Sequence, residues 1–465
     1  MRKLYYNKCS NLIEEIDYAD NLLKKADANL YKDIFPYSEI PKVPFNNLQL
    51  PMNVPEDIWI TDTTFRDGQQ SMAPFTEEQI VTLYDYLHKL DNNSGIIRQT
   101  EFFLYSEKDR NALVKCMNKG YKFPEITSWI RATKSDFNLV KSIGIKETGI
   151  LMSCSDYHIF KKLNLSREEA FNNYISIVEE ALSLGIVPRC HLEDITRADF
   201  FGFVVPLANK LMELSKKYGI QVKIRACDTL GLGVSYPGAA LPRSVQGIIH
   251  GLTYYAGVPS EALEWHGHND FYAVVPNATT AWLYGSASIN TTLLGIGERT
   301  GNCPLEAMLV EYAQLKGNLK NVDLHVITEI CDFFEKELNY PIPQKTPFVG
   351  KEFNVTRAGV HADGILKDEE IYNIFDTDKI LGRPVVVAIN EYSGHAGIAA
   401  WINTYFRLKD EDKVDKKNPS VSSIKDWVDH QYKDGRTTVM TNEELEEAIK
   451  EFMPEILTLA ISKAC

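Results

Sequence analysis

The feature that most restricts the fold of this chain is a regular alternation of two kinds of segment between residues 57 and 318. Short runs rich in β-forming side chains alternate with stretches whose apolar residues recur at helical spacing. The runs are 58–63, 96–102, 124–131, 146–152, 187–193, 221–227, 261–266 and 286–293. Eight strand–helix units in about 260 residues match a (β/α)8 TIM barrel, whereas an open doubly wound sheet usually has fewer strands and a glycine-rich first turn. The sequence therefore predicts an α/β fold built on such a barrel.

The segments on either side of this alternation have different patterns. Helix-like patterns around 9–32, followed by several prolines, predict an N-terminal helical extension and a linker. After residue 320 the alternation stops, and helical stretches such as 324–339 become prominent. We therefore expect three parts, which are an extension at 1–56, the barrel at 57–320, and a smaller, mostly helical C-terminal region at 321–465.

Composition narrows the kinds of partner. Fifty Lys and Arg residues against 63 Asp and Glu give a net charge of −13, which argues against binding to nucleic acid or to an anionic membrane surface. The chain has no run of about 18 uncharged apolar residues that would span a membrane. Its eight cysteines form no C-x-x-C pair, so neither a disulfide framework nor a zinc knuckle is expected. We expect a cytoplasmic protein that acts on small molecules.

Two distant segments carry groups suited to one divalent metal ion. Asp67 follows the first predicted strand, His266 ends the seventh, and His268 lies two residues beyond it. Alternate residues of a strand point the same way, so the histidines are about 6–7 Å apart, and all three groups fall at the C-terminal mouth of the barrel. Asn302, after the eighth strand, can add an amide oxygen. An isolated H-x-H pair is more often structural, but the aspartate at a second strand end favours a site for Mn²⁺, Co²⁺, Zn²⁺ or Fe²⁺.

Three motifs resemble those of a known enzyme family. D-T-T-F-R-D-G-Q-Q (62–70), H-G-H-N-D (266–270) and G-I-G-E-R-T-G-N (295–302) have the order and spacing seen in the metal-dependent acyl-CoA condensing enzymes built on a TIM barrel. This group includes 2-isopropylmalate, homocitrate, citramalate and Re-face citrate synthases, with 3-hydroxy-3-methylglutaryl-CoA lyase as a more distant relative. The resemblance covers about residues 57–400. It implies condensation of acetyl-CoA with a 2-oxo acid, followed by hydrolysis of the thioester.

The resemblance also implies roles for individual residues. The metal, Mn²⁺ as first choice, or else Co²⁺, Mg²⁺ or Zn²⁺, would be bound by Asp67, His266, His268 and Asn302. Catalytic roles fall on Arg66 beside the reacting carbonyl, Glu193 near the acetyl-CoA methyl, His361 as general base, and Tyr372 as a second candidate base. Thr229 would hold the carboxylate of the 2-oxo acid, with Gln70 near the substrate.

The segment around His361, H-A-D-G, has a further implication. Family members often contribute it from a partner subunit to the opposite barrel mouth, so the resemblance implies a homodimer whose C-terminal regions contact the partner. Without the resemblance, a structural role for His361 would be the better interpretation.

The sequence leaves the identity of the 2-oxo acid open. The residues of the motifs are most similar to those of the Re-face citrate synthases, which use oxaloacetate. Its second carboxylate needs a cationic or hydrogen-bonding partner, and the candidates on predicted strands are Arg131, Arg189 and His191. Homocitrate synthase, with 2-oxoglutarate, differs by one methylene, worth only ~1–3 kcal/mol in a pocket. The sequence is also compatible with citramalate or 2-isopropylmalate synthase activity, and with a catalytically inactive metal-binding barrel.

Overall fold

A computed structural model describes residues 2–7, 12–17, 22–25, 27–408 and 410–464 of the chain. The chain divides into two compact units, Met1–Asp323 and Leu324–Cys465. Within the described residues, no helix is long and apolar enough to cross a membrane. The boundary between the units lies close to the predicted one at 320, while the separation of 1–56 from the barrel stays a prediction.

Among the described residues of the N-terminal segment, strands and a short turn replace the predicted helices. Strands β1 (Arg2–Asn7) and β2 (Leu12–Asp17) form an antiparallel pair, and a short 3₁₀ turn follows at Leu22–Lys24. The prediction of helix within 9–32 is therefore wrong for Leu12–Asp17, which forms β2. Apolar runs this short do not separate helical from strand periodicity, and the tyrosines of β1 favour a strand. The parts of that prediction at 8–11, 18–21 and 26 lie outside the described residues.

Unit 1 is built around a closed barrel of eight parallel strands. The strands are β3 (Trp59–Asp62), β4 (Ile97–Phe103), β5 (Glu125–Ile130), β6 (Glu147–Ser153), β7 (Val187–Glu193), β8 (Lys223–Asp228), β9 (Leu263–Gly267) and β10 (Ser288–Thr291). Each strand pairs with the next in the sequence, and β10 pairs with β3 to close the ring. Every predicted strand run overlaps one of these strands, so the predicted barrel is confirmed.

A helix follows each barrel strand. These helices are α1 (Glu77–Asp91), α2 (Glu107–Asn118), α3 (Phe137–Ile143), α4 (Arg167–Ser183), α5 (Val205–Tyr218), α6 (Val245–Tyr254), α7 (Val274–Tyr284) and α8 (Leu305–Lys316). Helix α1 begins at a capping box, in which Thr76 and Gln79 each accept a hydrogen bond from the backbone N–H of the other. Its apolar face is buried, and includes Ile80, Leu83, Tyr84, Leu87 and Leu90.

Unit 2 is mostly helical, as predicted. Its helices are α9 (His325–Lys336), α10 (Gly359–Lys367), α11 (Thr377–Leu381), α12 (His395–Tyr405), α13 (Pro419–Lys433), α14 (Asn442–Phe452) and α15 (Pro454–Ala464). Two short parallel strands, β11 (Val355–Thr356) and β12 (Val386–Val387), pair with each other. Trp401 of α12, Ile424 of α13 and Ile449 of α14 belong to one buried apolar core, so this unit has a core of its own.

Candidate metal centre

Three groups that could hold a metal ion lie together at the C-terminal mouth of the barrel. Asp67 belongs to a short π-helical turn after β3, while His266 lies near the end of β9 and His268 just beyond it. The Nε2 atoms of the two histidines are 3.2 Å apart. Oδ2 of Asp67 lies 3.9 Å from Nε2 of His266 and 3.8 Å from Nε2 of His268. All three residues are buried. The structure therefore brings together groups that the sequence separates by about two hundred residues.

The spacing of these atoms fits a single ion. Two ligand atoms bound about 2.1 Å from one ion, at angles of about 90–110°, lie about 3.0–3.4 Å apart. The histidine nitrogens already have this separation, and the Asp67 carboxylate needs to move by about 0.5 Å to reach it. Nδ1 of His268 is buried without a hydrogen-bond partner among the described residues. Two imidazole nitrogens that face each other at 3.2 Å share either a proton, in an N–H···N hydrogen bond, or a cation, so this separation is compatible with an ion between them.

Asn302 lies where the fourth ligand is predicted. Its Nδ2 donates a hydrogen bond to Oδ2 of Asp67 at 2.7 Å, and its Oδ1 is buried without a partner among the described residues. Rotation of the amide by half a turn exchanges the two atoms and directs the oxygen, the only one of the two that can bind a metal, toward Asp67 and the histidines. An isolated antiparallel β-bridge between the backbones of His268 and Asn302 joins the segment after β9 to the segment after β10.

Electrostatics at this centre keep the ligands in the state that a metal requires. Burial and the neighbouring His268 lower the pKa of His266 to about 3, and burial also lowers the pKa of His268. Burial opposes ionisation of Asp67, but Arg66 and the two histidines hold the pKa of this carboxyl below its usual range. At neutral pH the centre therefore offers two neutral imidazoles and one carboxylate.

Arg66 lies beside the ligands and is held on three sides. Its Nη1 donates to Oδ1 of Asp67 at 2.7 Å and its Nε donates to Oε1 of Glu101 at 2.9 Å. The guanidinium carbon lies 5.6 Å from the centre of the Trp129 ring. A buried cation fixed in this way can stabilise negative charge that develops on an oxygen bound at the mouth.

Glu101 and Arg225 are neighbours of this centre that were not predicted. Oε1 of Glu101 accepts hydrogen bonds from Arg66, from Nη1 of Arg225 at 3.1 Å and from Oγ1 of Thr63 at 3.0 Å. Burial raises the pKa of Glu101, but the guanidiniums of Arg225 and Arg66 outweigh this effect and hold the pKa well below its usual range. A signal was present in the sequence, because both residues are charged and occupy the middle of predicted barrel strands.

Glu193, at the end of β7, lies in a second polar cluster at the mouth. It accepts hydrogen bonds from Nδ1 of His158 at 2.9 Å, from Nζ of Lys162 at 2.9 and 3.0 Å, and from Oγ of Ser153. Burial raises the pKa of Glu193, but the hydrogen bonds from His158, Ser153 and Lys162 bring it down to about 2. Glu193 is therefore an ionised acceptor at neutral pH. His158 and Lys162 were not predicted from the sequence.

Comparison with known proteins identifies the family. A family model described as HMGL-like matches residues 57–334, which is more than half of the chain. The chain belongs to the HMGL-like family.

Relatives of this HMGL-like protein include two that are named Citrate (Re)-synthase. The one from Clostridium kluyveri is 67% identical over 445 residues, covering 96% of this chain and 98% of the relative. The one from Syntrophus aciditrophicus is 53% identical and covers 92% and 68%, respectively. A protein named 2-phosphinomethylmalate synthase from Streptomyces hygroscopicus is 36% identical and covers 90% and 95%. The crystal structure of HMG-CoA lyase from Bacillus subtilis matches with a TM-score of 0.50 at 20% identity, covering 63% of this chain and 97% of that one; this match concerns the fold alone.

The residues predicted to contact the 2-oxo acid occupy different places in this HMGL-like barrel. Thr229, just after β8, accepts a hydrogen bond at Oγ1 from the Asp194 backbone N–H at 2.8 Å, and its carbonyl oxygen accepts one from Nη2 of Arg299 at 2.6 Å. Gln70, three residues after Asp67, is exposed. Both residues follow barrel strands on the side of the mouth, but no measured contact joins either of them to Asp67.

The three candidates for the second carboxylate are not brought together. Arg131 does not point into the barrel, because β5 ends at Ile130 and the Arg131 side chain is 62% exposed and paired with Asp136 at 3.1 Å. Arg189 is buried in the first half of β7, where Glu147 neutralises its charge. His191 is the candidate that contacts the residues around the metal ligands, with its Nε2 3.4 Å from Oε2 of Glu101. Burial and Arg225 lower the pKa of His191 to about 4, so it is a neutral hydrogen-bonding group at neutral pH.

The predicted general base belongs to unit 2. His361 lies on α10 and is exposed, and its ring centre is 4.3 Å from that of Tyr372. The two rings are therefore in contact with each other. Their roles in catalysis stay predictions.

Proposed function

We propose that this protein is an acyltransferase that condenses acetyl-CoA with oxaloacetate and hydrolyses the thioester, giving citrate and CoA. The observation that carries this proposal is the 67% identity to a protein named Citrate (Re)-synthase, over 96% of this chain and 98% of that relative. The arrangement at the barrel mouth supports it, because two neutral imidazoles, a carboxylate and a buried guanidinium suit the activation of a 2-oxo acid.

The residues at the mouth divide the work of binding and polarising the acceptor. A divalent cation held by Asp67, His266 and His268, with Asn302 as a further ligand, would supply Lewis acidity toward the carbonyl of the 2-oxo acid. Nitrogen and oxygen donors of this kind suit Mn²⁺, our first choice, and also Co²⁺, Mg²⁺ or Zn²⁺. Arg66 stabilises the negative charge that develops on the carbonyl oxygen as the new carbon–carbon bond forms.

The carboxylates of the acceptor need separate partners. We assign the carboxylate next to the carbonyl to Thr229, with Gln70 near the same substrate. For the second carboxylate we favour His191 over Arg131 and Arg189, because the charges of these two arginines are already neutralised by Asp136 and Glu147. A neutral His191 can still donate a hydrogen bond from one ring nitrogen.

Removal of a proton from the methyl group of acetyl-CoA requires a base within hydrogen-bond reach. We assign this role to His361, with Tyr372 as its neighbour and Glu193 as the ionised group that orients the base. In this proposal a second copy of the chain supplies His361, so that the active form is a homodimer. We place the reaction in the cytoplasm, in keeping with the buried thiols of Cys116, Cys154, Cys190, Cys227 and Cys303, which form no disulfide among the described residues.

The proposal is tested by supplying acetyl-CoA and Mn²⁺ with oxaloacetate, 2-oxoglutarate, pyruvate or 2-oxoisovalerate in separate reactions. Release of free CoA thiol and mass spectrometry of the product identify the acceptor. We expect turnover with oxaloacetate and the product citrate. With labelled acetyl-CoA, a lyase of known arm specificity then shows which arm of citrate carries the label, and so which face was attacked. Preference for any other oxo acid would contradict the substrate assignment.

An inactive metal-binding barrel gives a different result in the same assay. For such a barrel no oxo acid releases CoA, and Arg66→Ala changes nothing but stability. Under the proposal, Arg66→Ala lowers kcat by a factor of about 100 to 1,000, the usual loss for removal of one oxyanion-stabilising donor.

A further inference from the structure

The interior of the barrel is filled by polar side chains where TIM barrels usually carry branched apolar ones. The buried polar residues on strands β3, β4, β7, β8, β9 and β10 include Thr61, Gln99, Glu101, Arg189, His191, Arg225, Glu264 and Asn290. Charged groups so deeply buried destabilise a protein unless each is paired and hydrogen-bonded. The hydrogen bonds between these side chains therefore indicate which groups the barrel interior holds in a fixed position.

Glu264 is the point from which two hydrogen-bonded paths lead to the metal centre. It lies on β9, two residues before His266, and is 2% exposed. Its Oε2 accepts a hydrogen bond from Nε of Arg225, and its Oε1 accepts one from Oγ1 of Thr61. Nε of Arg189 lies 3.6 Å from the same Oε2 atom. A carboxylate between two guanidiniums is ionised, so both of its oxygens act as acceptors.

The first path runs through charged groups to Arg66. Arg225 binds Glu264 through Nε and uses Nη1 to donate to Oε1 of Glu101 at 3.1 Å. The same Glu101 oxygen accepts from Nε of Arg66 at 2.9 Å, and Arg66 in turn donates to Asp67. Charges alternate along this path, so that each ionised group holds the next one in place.

The second path runs through neutral groups to His266 and has a fixed polarity. Thr61 has one hydroxyl proton, which it donates to Glu264, so its oxygen accepts from Nδ2 of Asn290 at 3.0 Å. This orientation turns Oδ1 of Asn290 toward Nδ1 of His266 at 2.8 Å. An acceptor there requires the proton on Nδ1 and leaves the lone pair on Nε2, the atom that faces Asp67 and His268.

We propose that Glu264 is a positioning residue for this reaction, which fixes the tautomer of the metal ligand His266 through Thr61 and Asn290 and the place of Arg66 through Arg225 and Glu101. The inference rests on the metal centre of the proposed function. It goes beyond that proposal by assigning the orientation of the centre to one carboxylate that touches neither metal nor substrate. The competing explanation is that Glu264 only neutralises the buried arginines.

The neutral path is tested with Thr61→Val, which keeps the shape of the side chain and removes the hydroxyl, and with Thr61→Ser as the matched control. Co²⁺ is titrated into each metal-free variant, and its affinity and visible absorption are recorded without substrate. We expect Thr61→Val to weaken Co²⁺ binding on the order of ten-fold and to alter the absorption bands, as for other residues that orient metal ligands. Thr61→Ser should stay within about two-fold of the unmodified protein. Equal affinities in all three proteins, with unchanged spectra, would overturn the inference.

The charged path is tested with Arg225→Lys, which keeps the charge but cannot bridge Glu264 and Glu101 at once. We expect kcat to fall on the order of ten-fold with Co²⁺ affinity unchanged, whereas Thr61→Val changes the affinity. If these residues only pack the barrel interior, kcat and Co²⁺ affinity should both change in Thr61→Val and in Arg225→Lys. That result would contradict the inference. Glu264→Gln should change kcat and Co²⁺ affinity together. Because this variant also leaves the buried guanidinium of Arg225 without its full charge partner, the test depends on Thr61→Val and Arg225→Lys.

These measurements separate the inference from the proposed function. Co²⁺ titration needs neither acetyl-CoA nor an oxo acid. A protein that makes no citrate but shows the expected loss of Co²⁺ affinity in Thr61→Val would contradict the proposed reaction and support the positioning role. A protein that makes citrate and shows no such loss would do the reverse.

Discussion

At the scale of single residues, the mouth of the barrel depends on groups with little space around them. Gly149 of β6 is an example, because a Cβ built on it would lie 2.6 Å from Nε2 of His191 and 2.9 Å from Oε2 of Glu101. Such distances are too short for any side chain at this position. A hydrogen at Gly149 is therefore what allows His191 to lie beside Glu101.

We expect Gly149→Ala to displace His191 and Glu101 and so to disturb Arg66. Overpacking of this kind costs about 1–3 kcal/mol of stability, and kcat should fall by at least about ten-fold, the effect of a small misplacement of catalytic groups. Thermal unfolding and steady-state kinetics measure the two effects. Gly394→Ala is the control, since a Cβ there would have no heavy atom within 4 Å. Full activity in Gly149→Ala would show that His191 has no role at the mouth.

The low pKa of His191 predicts how stability depends on pH. Its pKa is about 4 in the folded protein against an ordinary value of 6.5, because of burial and Arg225. The unfolded chain then binds a proton below pH 6.5 that the folded protein does not take up until about pH 4. This group therefore lowers the free energy of unfolding as the pH falls through that window, by roughly 3 kcal/mol in total.

We expect His191→Gln to show a shallower loss of stability between pH 6.5 and 4 than the unmodified protein. Urea unfolding at several pH values measures the slope of the free energy of unfolding. At pH 8 the imidazole is neutral in both states, so any difference there reports packing alone. Identical slopes in the two proteins would mean that His191 titrates normally.

At the scale of elements, strands fix the centre and helix ends can be altered without touching it. The capping box at the start of α1 lies outside the barrel interior. We expect Thr76→Ala to lower the free energy of unfolding by about 1 kcal/mol, because the first turn loses a hydrogen bond to its backbone. Chemical denaturation measures this loss, and Thr76→Ser should recover most of it. A change in Co²⁺ affinity in Thr76→Ala would contradict this independence.

The strands were predictable because their β-forming runs recur at regular intervals, and the grouping of Asp67 with His266 and His268 was predictable because these residues follow strand ends. The pairing of side chains inside the barrel was not. Arg225 and Glu101 are 124 residues apart in the sequence, and no local sequence pattern predicts a contact over that separation. Arg131 shows the opposite limit, since a strand predicted to end one residue too late gave it an inward direction that it does not have. The N-terminal strands were not predicted for a third reason, because their apolar runs are too short to separate helical from strand periodicity.

At the scale of the whole molecule, the proposed homodimer makes a quantitative prediction. If His361 acts in the partner's barrel, a mixed dimer of Arg66→Ala and His361→Ala chains contains one intact site and one doubly altered site. Chains mixed in equal amounts and allowed to exchange should recover about one quarter of the activity of the unmodified protein, because half of the dimers are mixed. Steady-state assays before and after exchange measure the recovery. Absence of recovery after confirmed exchange would show that each barrel uses its own His361 or none.

The closure of the ring by β10 and β3 has a consequence for synthesis of the protein. The hydrogen bonds from His266 to Thr61 pass through Asn290, which lies on the last barrel strand in the sequence. A nascent chain that has emerged only as far as β9 thus lacks the strand that joins its histidines to Asp67. The candidate cation site is therefore complete only after β10 has been synthesised and has paired with β3 to close the barrel.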